Sequence, residues 1–69
     1  MSKEKYNWEL RKAIVTAGYT YKSLAEKTGM NYVRIHRLVS GARVPEKQEM
    51  RILSQTLRTP QKILFADSA

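Results

Sequence analysis

Apolar residues recur every three or four positions along this chain, and no segment alternates apolar and polar residues for long enough to predict a strand. The clearest helical pattern lies between Gly29 and Gly41, where Ile35, Leu38 and Val39 share one face. The opposite face carries hydrogen-bond donors and no carboxylate. Its residues are Val33, His36, Arg37 and Ser40, with Tyr32 and Arg34 on the flanks.

Glycines and helix-starting residues divide the chain into segments. Gly18, Gly29 and Gly41 each follow an apolar pattern, as is typical of the left-handed residue that ends a helix. The segments predict five helices at about 8–17, 20–28, 31–40, 45–58 and 60–66. The second and third are separated so narrowly that they predict a helix-turn-helix.

The residues that begin these helices are good capping residues. Asn7, Thr20 and Asn31 are expected to cap the first three helices. Pro45 suits the first position of the fourth helix, where a missing N–H costs nothing. Thr59 followed by a proline repeats the same kind of start for the fifth helix.

The helical segments and the length predict one compact all-α domain spanning 1–69, a five-helix bundle. A chain of 69 residues without cysteine has no disulfide to stabilise so small a core. Trp8, Met30 and Met50 are interpreted as core residues. Dimerisation would help to stabilise such a bundle.

The charge distribution changes the picture. Thirteen Lys and Arg against six Asp and Glu give a formal net charge of +7, which favours a polyanionic partner. Lys3, Lys5, Arg11 and Lys12 are interpreted as solvated, or as part of a basic arm that touches DNA. No acid lies between Glu26 and Glu46, and this interval contains the third helix. We therefore expect the third helix to enter the DNA major groove.

Other classes of protein fit less well. No apolar run approaches the length of a membrane span and no apolar signal region is present, so we expect a cytoplasmic protein with no membrane partner. The lone His36 cannot form a metal site. No nucleophile–base pair or carboxylate dyad indicates an enzyme, and no cofactor or small-molecule ligand is expected.

The segment from Leu24 to Pro45 resembles the Cro/C1-type helix-turn-helix family of phage repressors, and the resemblance extends over about 10–65. It depends on Leu24-Ala25, on Gly29 at the turn, on Ile35, and on the run from Gly41 to Pro45. In such proteins the first two residues of the recognition helix, and one a turn later, read bases. The resemblance assigns these roles to Tyr32, Val33 and Arg37. It also implies the lambda repressor-like fold for the five-helix bundle, and phosphate contacts at Tyr21 and along the loop 40–44.

Side-chain chemistry supports these roles in part. Arg37 can pair with guanine, Val33 can pack on a thymine methyl, and His36 can donate to a base. The remaining candidates are expected to contact phosphates. They are Thr20, Tyr21, Asn31, Arg34, Ser40 and Arg43.

Each of these side chains also has a simpler interpretation. Val33 could pack against the second helix and Tyr32 against neighbouring protein surface. His36 could be an exposed residue with no partner, and Arg34 a solvated charge. Arg37 lies at the centre of the outward face and has the clearest role.

One departure from the family concerns the core. Many members carry an interior ion pair between an Arg in the first helix and a Glu near the end of the third. The matching positions here are Ile14 and Val39, both apolar. We expect these two residues to approach each other, because packed apolar groups often replace a buried ion pair without loss of stability.

The favoured function is a sequence-specific transcriptional regulator, a repressor or Cro-like protein of a phage or mobile element. It would occlude a promoter by binding a palindromic operator as a homodimer through the bundle itself. The candidate dimer contacts are Ile52, Ile63 and Phe65, with Ile63 or Phe65 partly exposed in the monomer. One alternative is a protein-interaction module, such as an antirepressor, that binds a repressor rather than DNA. Another is the N-terminal DNA-binding domain of a longer repressor.

Overall fold

The computed structural model describes residues 6–65, and over that range it contains helices and no strands, as predicted. Its five helices are α1 (Trp8–Thr16), α2 (Tyr21–Thr28), α3 (Tyr32–Ser40), α4 (Lys47–Leu57) and α5 (Gln61–Leu64). α2 packs against α3 and α4, while α1 packs against α3 and α5. None of these helices is long and apolar enough to cross a membrane.

The first three helices begin at the capping residues that the sequence predicted. The Oδ1 atom of Asn7 accepts a hydrogen bond from the backbone N–H of Leu10 at 2.9 Å. Thr20 Oγ1 accepts from Ser23 N at 3.0 Å, and Ser23 Oγ accepts in return from Thr20 N at 2.9 Å. Each bond satisfies a backbone donor that the first turn of a helix leaves unpaired.

The predicted starts of the last two helices were wrong. α4 begins at Lys47 with Glu46 as its cap, so Pro45 lies outside the helix. The backbone N–H of Glu46 donates to Glu49 Oε1 at 2.9 Å, and this bond sets the first turn. Thr59 donates its hydroxyl to Leu57 O at 3.1 Å and so belongs to the end of α4 rather than to the start of α5.

α2 and α3 end at glycines as predicted, whereas α4 ends at an arginine. Gly29 and Gly41 have φ values of 77° and 86°, a left-handed conformation in which a side chain would be strained. Arg58 ends α4 in the same conformation, with φ 54°, although it is not glycine. No glycine in the sequence marks this helix end.

The core is a single cluster of buried apolar residues. Its members are Leu10, Ile14, Leu24, Ala25, Ile35, Leu38, Val39, Leu53, Leu57, Leu64 and Phe65. Ile14 and Val39 are each only 1% exposed, in keeping with their expected replacement of a charged pair.

Two residues lie elsewhere than the sequence predicted. Trp8, interpreted as a core residue, is 68% exposed at the first position of α1. Phe65 was predicted to be partly exposed and available to a dimer partner, but only 5% of it is exposed because its side chain belongs to the core. Of the other candidate dimer contacts, Ile63 is exposed and Ile52 is half-buried.

Besides capping α1, Asn7 joins α1 to two other helices, α3 and α5. Its backbone N–H donates to Val39 O near the end of α3 at 2.7 Å. Its side-chain Nδ2 donates to Leu64 O at the end of α5, also at 2.7 Å. One residue therefore joins the start of α1 to the ends of α3 and α5, which holds α3 in a defined position on the bundle.

Candidate nucleic-acid interface

One face of α3 is locked into the core and the other is open to solvent. Ile35, Leu38 and Val39 are buried. The four predicted base-reading residues, Tyr32, Val33, His36 and Arg37, are all exposed. Val33 is 46% exposed, so about half of its surface is open to a partner.

An open groove of about 410 Å³ runs beside this face and is called here the exit-loop groove. Its lining residues are Asn31, Val33, Arg34, Arg37 and Arg43. Among residues 6–65, no carboxylate belongs to this lining. Three guanidinium groups around one groove give it a strongly positive character.

Arg34 is not the freely available phosphate clamp that the sequence predicted. Its Nε donates to Glu49 Oε2 at 2.8 Å and its Nη2 to Glu49 Oε1 at 2.7 Å. The hydrogen bond to the carboxylate raises the pKa of Arg34, and the same contact lowers the pKa of Glu49. Glu49 lies beyond the acid-free interval, and only the fold brings it back onto α3. Arg37 and Arg43 remain as the exposed cations of the groove.

The loop after α3, residues 41–46, is held against the end of that helix. The backbone N–H groups of Gly41, Ala42 and Arg43 all donate to Arg37 O, at 3.0, 3.0 and 3.3 Å. Arg34 Nη2 lies 3.4 Å from Val44 O. These bonds position Arg43 beside α3 even though its own side chain is exposed.

Three of the predicted phosphate contacts are already hydrogen-bonded within the chain. Thr20 is bonded to Ser23, and Ser40 Oγ donates to Arg37 O at 3.2 Å. Asn31 Oδ1 accepts from Val33 N at 2.8 Å and from Arg34 N at 3.4 Å, which caps α3. A DNA contact by Asn31 would therefore use its Nδ2 group, which these capping bonds do not engage.

A second groove, of about 370 Å³, lies on the α1–α2 side of α3 and is called here the α1–α2 groove. Polar and aromatic groups from three helices meet there. They include Arg11 of α1, Tyr21 and Lys22 of α2, and Tyr32 of α3. In the part of the chain that the structure describes, no acidic residue lines this groove.

Tyr21 is the centre of contacts between these helices. Its ring meets the ring of His36 edge-on, with 5.0 Å between centroids, and the centroids of Tyr32 and His36 are 6.1 Å apart. His36 thus has two tyrosine neighbours, which the sequence interpretation did not anticipate. Burial raises the pKa of the Tyr21 phenol above its ordinary value.

Arg11 is the functional candidate that the sequence analysis underrated. Its Nη1 lies 3.3 Å from Tyr21 Oη and 3.4 Å from Tyr6 Oη. Its guanidinium carbon lies 5.7 Å from the centre of the Tyr21 ring. These hydrogen bonds, first that to Tyr21, raise the pKa of Arg11. Only the meeting of α1 with α2 distinguishes Arg11 from an ordinary solvated cation.

Among the described residues, no three His, Asp or Glu side chains gather into a possible metal site. The arrangement offers exposed donors, cations and aromatic rings on both sides of one helix.

Comparisons of the chain with protein-family models, with curated proteins and with solved structures found no match.

Proposed function

We propose that this protein is a sequence-specific, double-stranded DNA-binding transcriptional regulator, with α2 and α3 acting as a helix-turn-helix. One observation carries the proposal. α3 is fixed to the core by Ile35, Leu38 and Val39, while its other face presents Tyr32 and Arg37 to solvent. A rigid helix with exposed donors, bordered by cationic grooves, has the shape and charge to enter a major groove.

In this proposal α3 reads base edges. Arg37 pairs with the O6 and N7 atoms of a guanine, the commonest specific contact in the major groove. Val33 lies one turn before Arg37 and packs on a thymine methyl. Tyr32 and His36 complete the reading surface. Arg43 contacts the phosphate backbone, which fixes the position of α3 without specifying a sequence.

Regulation would follow from occupancy of an operator that overlaps a promoter. A homodimer would place two copies of α3 about 34 Å apart on a palindromic site. Ile63 is 45% exposed on α5 and is the best-placed apolar residue for such a dimer, with half-buried Ile52 as a second candidate. The same mechanism would operate in the cytoplasm of a bacterial host whether the chain acts alone or as the N-terminal part of a longer repressor.

Binding selection on random duplexes at two salt concentrations tests the proposal. We expect a palindromic consensus, and an affinity that falls steeply as salt rises because phosphate contacts release counterions. Weak binding without sequence preference would overturn the specific-regulator function.

A second candidate is a protein-interaction module such as an antirepressor. The exposed Trp8, whose ring lies 4.4 Å from that of Tyr6, favours it, because exposed aromatic residues are common at protein interfaces. This candidate predicts weak intrinsic DNA affinity and tight binding to a repressor. The same selection separates it from the regulator.

A further inference from the structure

We propose that Arg11 of α1 is a second phosphate contact, on a different side of α3 from Arg43, and that Tyr21 holds its guanidinium in place. The inference rests on the proposed function, since it concerns how the same DNA would be held. It adds to the interface a residue that lies outside the helix-turn-helix. The ligand is one phosphate of the DNA backbone beside the bases that α3 reads.

The two grooves that flank α3 are the first support for this inference. The exit-loop groove includes Val33 and Arg43, and the α1–α2 groove includes Tyr32 and Arg11. Tyr32 and Val33 are successive residues of α3, about 100° apart around its axis, so the two grooves border different sides of its first turn. A helix in the major groove has a phosphate backbone on each side, across a width of about 12 Å. Arg43 is the exposed cation of one groove, and Arg11 lines the other together with Lys22 of α2.

The setting of Arg11 is the second support. Its Nη1 is bonded to two neutral phenol oxygens, those of Tyr21 at 3.3 Å and Tyr6 at 3.4 Å. Phenol oxygens orient a guanidinium but leave its positive charge uncompensated. Within residues 6–65 no carboxylate lies within ion-pair distance of Arg11, whereas Arg34 is paired to Glu49. Arg11 is thus oriented in advance while its charge stays available to a phosphate.

Continuity with α3 is the third support and favours DNA as the occupant. Tyr21 contacts Arg11 through its hydroxyl and His36 through its ring. Arg11 therefore belongs to the same continuous surface as the predicted reading residues. An acidic protein segment would satisfy the charge of this groove equally well, but nothing about it would require the groove to adjoin the exposed face of α3.

The test measures how the affinity of the selected operator depends on salt for three proteins. They are the wild-type chain, Arg11→Ala and the control Lys12→Ala. Lys12 is the next residue, and its loss changes the formal charge by the same amount. It pairs with Glu9 at 3.6 Å and lines a hollow with Leu57 and Thr59, on another side of α1.

We expect Arg11→Ala to weaken operator binding about tenfold per half-site, the effect of losing one charge-assisted hydrogen bond in each. The slope of log affinity against log salt should fall by about 0.9 per half-site, and therefore by about 1.8 for the dimer, since one phosphate contact is lost in each half-site. The consensus should not change, because a phosphate contact carries no sequence information. Lys12→Ala should keep the wild-type affinity and slope.

A modified operator identifies the phosphate. Backbone phosphates are replaced one at a time by uncharged methylphosphonate, and one replacement per half-site should weaken the wild-type protein but leave Arg11→Ala unaffected. If each replacement weakened the wild-type protein and Arg11→Ala equally, the inference would be overturned.

Tyr21→Phe tests the positioning residue, because it keeps the ring and removes only the hydroxyl. We expect weaker binding with an unchanged salt slope, since no charge is lost. Its effect should largely disappear in the Arg11→Ala background. Additive effects of the two substitutions would overturn the positioning role of Tyr21.

Failure of this inference can be told apart from failure of the proposed function. If the wild-type chain binds a consensus operator and Arg11→Ala matches it in affinity and slope, Arg11 is not a contact and only this inference falls. If the wild-type chain selects no operator, both fall. Thermal melting of each variant verifies folding, and Arg11 is exposed, so its replacement should leave the melting temperature unchanged.

Discussion

Arg34 of α3 and Glu49 of α4 form a two-point ion pair, with donor–acceptor distances of 2.8 and 2.7 Å. The same Glu49 Oε1 atom accepts the backbone N–H of Glu46 at 2.9 Å. One carboxylate therefore begins α4 and holds it to α3. The loop between them, which carries Arg43, is fixed at both ends by this arrangement.

The ion pair makes the free energy of unfolding depend on pH in the acidic range. The contact with Arg34 lowers the pKa of Glu49 below its ordinary value, so folding favours the ionised carboxylate. This contribution is fully present above the ordinary pKa of a glutamate, about 4.3. It is lost as the pH falls through the lower value of the folded state.

We expect Glu49→Gln to lower the free energy of unfolding by about 1 kcal/mol at neutral pH. The difference between the two proteins should shrink as the pH falls below about 4, because the wild-type carboxylate is then protonated as well. Thermal melts of both proteins at several pH values measure it. A difference that stays constant down to pH 2 would mean that the ion pair contributes nothing. Glu26→Gln, at an exposed position of α2, is the matched control.

The helices were predictable from sequence because their signals are local. Glycine ends a helix through its own φ angle, and Asn31 caps α3 through the N–H groups of the next turn. The local sequence signals gave a wrong helix start where a contact between residues further apart in the sequence decides the structure. Pro45 was expected to open α4, but the helix starts two residues later, where Glu49 can accept the N–H of Glu46.

The candidate site was predictable only as far as α3 itself. Helical periodicity separates Ile35 and Leu38 from Arg37, and the structure keeps that division. Pairing between distant residues has no such pattern. Neither the carboxylate that binds Arg34 nor the phenols that orient Arg11 are neighbours of those residues in the sequence. Trp8 was misassigned for a related reason, since its apolar character says nothing about which side of α1 it occupies.

Asn7 should contribute more to stability than an ordinary helix cap. Asn7→Ala removes both the cap to Leu10 N and the bond to Leu64 O, and we expect a loss of about 2 kcal/mol in the free energy of unfolding. Asn7→Ser keeps a capping oxygen but has no amide to reach Leu64, so it should lose about 1 kcal/mol. Denaturant unfolding measures both. Equal losses would show that the bond to α5 adds nothing to the cap.

The burial of Ile14 and Val39 predicts a large effect of introducing a charge there. Val39 is 1% exposed, so Val39→Glu would bury a carboxylate without a partner and should cost about 3 kcal/mol or more. Val39→Ala, which leaves only a cavity, should cost less. Adding Ile14→Arg to Val39→Glu should recover part of the loss, because the two residues would form an interior ion pair. Additive losses in the double variant would mean that the side chains do not meet.

Arg37 and Arg43 should affect DNA binding in different ways, although both line the exit-loop groove. Arg37→Ala should relax the consensus at one base pair per half-site and cost about 1–3 kcal/mol per contact there, since it removes a base contact. Arg43→Ala should weaken all sequences alike and lower the salt slope by about 0.9 per half-site, since it removes one phosphate contact in each half-site. Selection with each variant at two salt concentrations measures both effects, with Lys12→Ala as the control. An unchanged consensus for Arg37→Ala would remove that residue from the reading surface, and a changed consensus for Arg43→Ala would add it.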